Sequence, residues 1–448
     1  MSSYIDYYRS YREMMTGNEM RSLFSEIAVS DLVNDWRELT EEEKTEIFLH
    51  LDPSKKLDLI IELPYQEQEI IIESLSSQGK RALFQAMEPD DLVDLVQTLS
   101  HEVRRSVWDN LSDEAKREML FLLRFDEDDA AGMMTPRYLA IRASISVSQA
   151  LGFIRNNVKK VEIPYYIYVL DDLQRLIGTV SIKDILSSED TLSVSEIMER
   201  KVVSVFDETD REEVARTLEE HDLISIPVVD HDNLLLGVVT FDDVIDVIRE
   251  EQTEDVYKMG AMSGEVGSYM DTSMWGLVKK RVPWLIILLL FGTITTNVVY
   301  HYEELALSAA FLFVFMPVIT QTGGNTGSQS ATLMIRGLAT GEIHFRQTGI
   351  IFLREILVGL MMGLFTGLVI IARSILMPPG VGTFEGLALG LSLVFVVLIS
   401  NLIGTLMPLF IHRLGFDPTV MSTPLMATVI DVCGLTIYFE TARYLLSI

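Results

Sequence analysis

Apolar positions change period along the chain. In residues 39–125 they recur in blocks of about twelve residues, and three blocks align at a spacing of 36: LTEEEKTEIFLHLDP from Leu39, LSSQGKRALFQAMEP from Leu75 and LSDEAKREMLFLLRF from Leu111. LDPSKKLDLIIELP from Leu51 pairs in the same way with MEPDDLVDLVQTLS from Met87, and LPYQEQEIIIESL from Leu63 with LSHEVRRSVWDNL from Leu99. Each block opens on a polar cap such as Thr40, Ser76 or Ser112 and closes on apolar residues. The pattern predicts one short helix per block, stacked into an all-α superhelical N domain over residues 1–137.

The period then shortens. Ile163–Leu186 and Ile226–Ile248 each read as a β-branched strand, an Asx-rich turn, a second strand and a helix. The turns fall at Asp171-Asp172 and Asp230–Asn233, and amphipathic helices are expected before the copies at Ser148–Asn157 and Asp210–His221. Met134-Thr135-Pro136 and Ile197-Met198 mark the two openings. This predicts a duplicated α/β module over residues 138–248.

From Val282 onward the apolar residues run together. Five segments, near Val282–Tyr300, Leu305–Ile335, Gly349–Leu376, Phe384–Ile411 and Val420–Leu446, are long enough to span a bilayer, which takes roughly 20 residues. The second is overlong, with Pro317 and the run QTGGNTGSQS (Gln321–Ser330) expected to break the helix into unwound backbone. Lys279-Lys280-Arg281, Arg336, Arg346 and Arg413 fall in loops on one side, while HYEEL and MPPGVGTFE on the other lack bases. That is a positive-inside pattern with a cytosolic N-terminus, and five spans put the C-terminus outside.

Charge sharpens this division. The net charge is −29, and residues 282–448 hold eight acids and six bases, so −27 falls on the first 281 residues. Such a field repels nucleic acid and attracts cations, although solubility alone also explains it. One cysteine, Cys433, excludes an intramolecular disulfide and a Cys-rich zinc site. The N-terminal MSSYIDYYRS has no apolar signal core, which places the acidic half in the cytosol. His50, His101, His221 and His231 have no triad or zinc spacing, so no enzyme is expected.

Two further features carry candidate chemistry. DDVIDVIREEQTED (Asp242–Asp255) predicts an acidic helix with Asp243, Asp246, Glu250 and Glu254 in one stripe, either a charged linker or a cation-bridged surface. Residues 249–281 form the connection to the membrane, with Ser263–Ser273 the least regular part. Asp431, about ten residues into the last span, is expensive in lipid unless it meets water, a partner or an ion. A cation is its simplest partner, and a protonated or hydrogen-bonded structural aspartate is the alternative. A carbonyl freed by Pro424, with Asn325 and Thr428, offers further oxygen groups suited to a hydrated hard ion such as magnesium.

The sequences GTVSIKD (Gly178, Ser181, Asp184) and GVVTFDD (Gly237, Thr240, Asp243) resemble the core of a CBS-domain pair. There Ser181, Asp184, Thr240 and Asp243 would meet the phosphate and ribose of an adenine nucleotide such as ATP, although many such pairs bind none. With DDAAGMMTP (Asp128–Pro136), GGNTGSQ and PLMATVIDVCG, the whole chain is similar to MgtE-type magnesium channels. The resemblance implies a homodimer in the inner membrane, passing Mg2+ through a pore lined by the second and fifth spans, where Gly324 and Asp431 lie. It implies Mg2+ sensor ligands at Asp243, Asp246, Glu251, Glu254 and Asp255, at Asp210, Glu212 and Asp222, and at Asp417 by the membrane mouth. Asp91 and Asp94 are looser matches in the superhelix. Cytosolic Mg2+ would close the pore. An ion-coupled secondary transporter and a membrane-tethered nucleotide sensor are the rival functions, and oxygen ligands would also accept manganese, cobalt or nickel.

Overall fold

Start signals set the helices of the first part of the chain. The Thr40 hydroxyl accepts the Glu43 amide while the Glu43 carboxylate accepts the Thr40 amide, and the Ser76 and Ser112 hydroxyls accept the amides of Gly79 and Ala115. Pro53 and Pro89 open their helices, where a missing N–H does no harm. The computed structural model describes residues 3–161, 164–262, 272–420 and 423–447. Its first helices are α1 (Ser3–Tyr11), α2 (Gly17–Glu26), α3 (Val29–Asp35), α4 (Glu41–His50), α5 (Pro53–Glu62), α6 (Tyr65–Ser74), α7 (Ser77–Ala86), α8 (Pro89–Thr98), α9 (His101–Asn110) and α10 (Asp113–Leu122). From α4 to α10 each helix has ten residues and starts twelve after the previous start. Leu51, Leu63, Met87, Leu99 and Leu111 end α4, α5, α7, α8 and α9 in extended conformation with their side chains buried. The recurring apolar residue therefore anchors each turn in the core. Most of these helices pack on the next but one, as α8 does on α10 and α5 on α7.

The duplicated module holds two three-stranded sheets. β1 (Ala140–Arg142), β2 (Tyr166–Leu170) and β3 (Leu176–Ser181) form one, with α11 (Val147–Asn157), α12 (Ile182–Ser187) and α13 (Val194–Ile197) beside them in sequence. β4 (Val205–Phe206), β5 (Ser225–Val229) and β6 (Leu235–Thr240) form the other, with α14 (Arg211–Glu220) and α15 (Phe241–Met259). In each sheet the first pairing is parallel and the second antiparallel. The turns repeat atom for atom: Asp171 accepts the amides of Leu173 and Arg175, and Asp230 those of Asp232 and Leu234. Gly178 lies against Met198 and the Glu199 carbonyl, and Gly237 against Met134 and the Thr135 carbonyl. The openings are thus exchanged between the copies, and only glycine leaves room for the crossing.

Backbone contacts divide the chain into two units, Met1–Ile248 and Arg249–Ile448. The second contains α16 (Met274–His301), α17 (Glu303–Ser308), α18 (Phe311–Ala339), α19 (Thr348–Leu376), α20 (Thr383–Arg413) and α21 (Thr423–Leu446). Four of these, α16, α19, α20 and α21, are long and apolar enough to cross a membrane, and α18 reaches 29 residues with a polar middle. α20 packs against α18, α19 and α21, whereas α16 contributes no buried residue. It begins before the expected Val282, so Lys279, Lys280 and Arg281 lie within the helix. Most of the irregular Ser263–Ser273 stretch falls outside the described residues.

The expected break in the second span is overturned. α18 runs unbroken through Pro317 and the glycines, and the interruption comes earlier, at Ala309-Ala310 between α17 and α18. The glycines serve close approach instead. Gly404 of α20 lies on the Gly327 backbone, and a Cβ at Gly323 would meet Ser400 and Val396 at 3.0 Å. Small residues let membrane helices approach at backbone distance. Gly327→Val should therefore dismantle the bundle, since the new side chain would strike Ile430 and the Ser400 carbonyl. Gly324→Ala should be tolerated, its nearest neighbour being Ala427 at 3.9 Å. Size-exclusion profile and thermal midpoint in detergent check both, and a monodisperse, wild-type-like Gly327→Val would refute the crossing.

Candidate functional site

The expected site residues fall into distinct clusters. In the first unit, the acids of α8 face the start of α15. Asp91 is pushed up to about 7 by burial and then by Asp243, Asp94, Glu88 and Asp242. Asp243 is raised to about 6 by burial, against a hydrogen bond from Thr240, with Asp242 and Asp94 adding to the rise. A helix array and an α/β module thus bury carboxylates against each other. Both pKa values lie above the unfolded range, so the packing is most stable with both groups protonated and weakens as pH climbs through about 6 to 7. In full-length protein without divalent ions, hydrogen-exchange protection of α8 and the first turn of α15 should fall between pH 5.5 and 8. Asp91→Asn should flatten that dependence; an unchanged dependence would remove Asp91 from the cluster.

A second group gathers Asp210 and Glu212 with the segment before the α/β module. Asp210 caps α14 by accepting the Glu212 amide at 2.9 Å, and its backbone bridges to Asp129. Asp129 is raised by burial and by Asp126, Glu208, Asp210 and Asp128. Asp222 is exposed just beyond α14, in left-handed conformation, and Asp246 is exposed on α15.

The third group lies in the second unit, where the end of α15 meets the loop after α20. Lys258 donates to Asp417 at 2.9 Å and pairs with Glu254 at 3.0 Å. Asp255 is raised by burial and by Asp417, despite Lys258, with Glu251 and Glu254 adding to the rise. Burial also acts to raise Asp417, but hydrogen bonds from Lys258 and Thr419 outweigh it and hold the carboxyl below its ordinary value. The Lys258 ammonium therefore sits where a bound cation was expected. Sequence reading passed over it because a single lysine at the end of an acidic helix looks like dipole complementation.

The fourth group lies on the membrane helices. Pro424, Thr428 and Asp431 share one face of α21, and Ala427 beside them approaches Gly324 of α18. No described side chain hydrogen-bonds or ion-pairs with Asp431, which is partly exposed. On α18 the residues Gln321, Asn325, Gln329, Thr332 and Arg336 are all exposed and fall on one face, opposite Gly323, Gly327 and Ser330. Pro424 does not act as expected. It stands in the first turn of α21, so it frees no carbonyl within the helix, and its own carbonyl accepts the Thr428 hydroxyl at 3.0 Å.

In the α/β module, the Ser181 hydroxyl donates to Asp184 at 2.6 Å and accepts its amide at 3.0 Å, with Asp184 exposed. Thr240 and Asp243 repeat the pair, but Thr240 is buried. Among the described residues no three carboxylate, histidine or cysteine side chains converge to hold one metal ion. The acids therefore line surfaces instead of preformed cages, which suits an ion bound through its water shell.

A family model described as "Divalent cation transporter" matches residues 316–441, one for the MgtE intracellular N domain matches 27–128, and the CBS domain matches 130–189 and 194–250. The magnesium transporter MgtE of Thermus thermophilus is 41% identical over 335 residues, covering 73% of this chain and 72% of its own. That of Bacillus subtilis is 30% identical over 424 residues, covering 95% and 93%. A crystal structure of the cytosolic domain of the Mg2+ channel MgtE in complex with ATP matches with a TM-score of 0.51 at 34% identity, over 53% of this chain and 98% of that one. On fold order, sequence identity and coverage, this chain belongs to the MgtE family of magnesium transporters.

Proposed function

We propose that the chain forms a magnesium channel, completed by a second copy, that admits Mg2+ to the cytosol and is closed by cytosolic Mg2+. The polar face of α18 carries this reading. Gln321, Asn325 and Gln329 are exposed on a helix of a largely apolar bundle, and α21, which packs on α18, carries the partly exposed Asp431. Facing lipid, such a stripe is strongly unfavourable. Facing its symmetry mate across a water-filled axis, it is solvated and presents oxygen groups and one carboxylate per copy to a hydrated ion.

Closure is assigned to the acidic surfaces. At low Mg2+ the acids of α8 and α15 repel one another, and divalent ions shared among Asp91, Asp94, Asp243 and Asp246 would relieve that repulsion. Asp210, Glu212 and Asp222 would act likewise in the α/β module, and Glu251, Glu254, Asp255 and Asp417 at the membrane mouth. A ligand shifts such an equilibrium only by its difference in affinity between the two forms, so several weak sites give a steep response. Domains of residues 1–137, 138–248, 249–281 and 282–448 would serve as lever, sensor, connector and pore. With bases gathered at the helix ends on one side, the positive-inside pattern would put the first of these in the cytosol and the C-terminus outside. ATP binding carries over from the relative's structure by likeness, with the exposed Ser181–Asp184 pair and Asp243 as contacts.

A channel needs no second gradient. Initial Mg2+ uptake into proteoliposomes should be the same with and without imposed proton or sodium gradients of tenfold or more, once membrane potential is clamped. Uptake that depends on either gradient would replace this reading with an ion-coupled transporter.

A further inference from the structure

The crossing of α18 and α20 poses a mechanical problem. Where Gly327 lies on Gly404 the two helices meet backbone to backbone, with Ile430 of α21 filling the notch at Gly327. Such a contact sets how close the two helices come and supplies no directional bond of its own. Side chains on an α-helix stand about 5–6 Å from the axis, so a turn of about 20° would carry the exposed face of α18 through about 2 Å. The residues on that face are Gln321, Asn325 and Gln329, the ones that would meet the ion.

One directional link spans this crossing. Asn401 of α20 is fully buried, and its Oδ1 accepts the Ser330 hydroxyl of α18 at 2.6 Å. Its Nδ2 donates to the Glu355 backbone carbonyl and to Glu355 Oε2 of α19, both at 2.9 Å. Carbonyl and carboxylate only accept, so the amide nitrogen must point at Glu355 and its oxygen at Ser330. Within α20 the Thr405 hydroxyl donates to the Asn401 backbone carbonyl at 2.9 Å. Among the described residues no base forms an ion pair with Glu355, so its carboxylate is held by the neutral amide of Asn401. The chain of bonds thus runs from α19 through α20 to the inner face of α18, one turn from the Gly327–Gly404 contact.

We propose that Asn401, oriented by Glu355 and bonded to Ser330, is a positioning residue that fixes the rotation of α18 and thereby the placement of its polar face along the ion path. The inference rests on reading α18 as a pore helix. Single polar links between membrane helices contribute little to stability, so their loss is compatible with a folded bundle while the ion path changes.

The test compares Mg2+ and Mn2+ uptake by full-length protein in proteoliposomes. Asn401→Ala should lower Mg2+ uptake about tenfold and shift the Mn2+/Mg2+ ratio at least threefold. Ser330→Ala should move both in the same direction by less, and the double variant should be no worse than Asn401→Ala, because both cut one chain of bonds. Glu355→Gln keeps an acceptor for Nδ2 and should retain a ratio near wild type. Ser392→Ala, a buried hydroxyl elsewhere on α20, controls for lost packing and should leave the ratio unchanged. If Asn401→Ala does not fold, Ser330→Ala decides. An unchanged ratio in Ser330→Ala and in any folded Asn401→Ala overturns the proposal. If Asp431→Ala still transports, the pore reading itself has failed instead.

Discussion

Asp431→Ala should reduce Mg2+ uptake at least a hundredfold, to the level of empty liposomes, and leave the protein folded. Asp431 stands on the ninth residue of α21 with no described hydrogen-bond or ion-pair partner, so its removal breaks no internal contact. What it removes is field. A divalent ion about 5 Å from a carboxylate gains about 7 kcal/mol at an effective dielectric of about 20. A hundredfold loss corresponds to about 2.7 kcal/mol, less than half of that gain, so the expected effect lies well within what one charge supplies. Asp431→Asn keeps the shape and loses the charge, and it should fail nearly as badly. Tracer or dye-reported uptake at matched reconstitution reads the result, with a thermal midpoint within a few degrees of wild type as the folding control. Substantial transport by Asp431→Ala would move the ion path elsewhere.

Much of this arrangement is legible in the chain itself, and the reason differs from part to part. The helix array is written in local signals: a cap, a ten-residue apolar face and an anchoring leucine or methionine recur every twelve residues, and α4–α10 follow them. The paired sheets are legible for the same reason, since each Asx turn and each Gly–hydroxyl–Asp core is local. Asp431 stands out because a charge in an apolar run has few innocent explanations.

Contacts between distant residues are where sequence reading stops. Glycine and proline within α18 carry the composition of a broken helix, yet the helix is whole because Gly404 and Ser400 of α20 pack on it. Pro424 likewise signals a break only if the helix has already begun, and it begins there. Lys258 meets Asp417 across 159 residues, and Ser330 meets Asn401 across 71. Neither pairing leaves a trace in periodicity or charge patterning. The acids of the sensor were visible as acids, but their grouping, with Asp91 and Asp94 facing Asp243 and Asp255 facing Asp417, comes only from the fold.

Feedback by cytosolic magnesium makes the second large expectation. Replacing Asp243 and Asp246 by Asn and Glu254 by Gln removes three charges from α15 without changing its length or apolar packing. Val244 and Val247, its buried residues, are untouched. The altered helix has no charge to be bridged at those positions, so the closed form gains little from Mg2+ and the pore should stay conducting. Basal uptake should remain near wild type, because none of the three lies on α18 or α21.

The measurement that bears most directly on the account is Mg2+ flux through oriented proteoliposomes as Mg2+ on the cytosolic face is raised from micromolar to about 10 mM. Wild type should conduct at the low end and fall at least tenfold at the high end, with a steep midpoint between, while the triple variant conducts throughout. Wild-type flux that stays constant over that range, or a triple variant that closes as wild type does, would contradict closure by Mg2+ on these carboxylates.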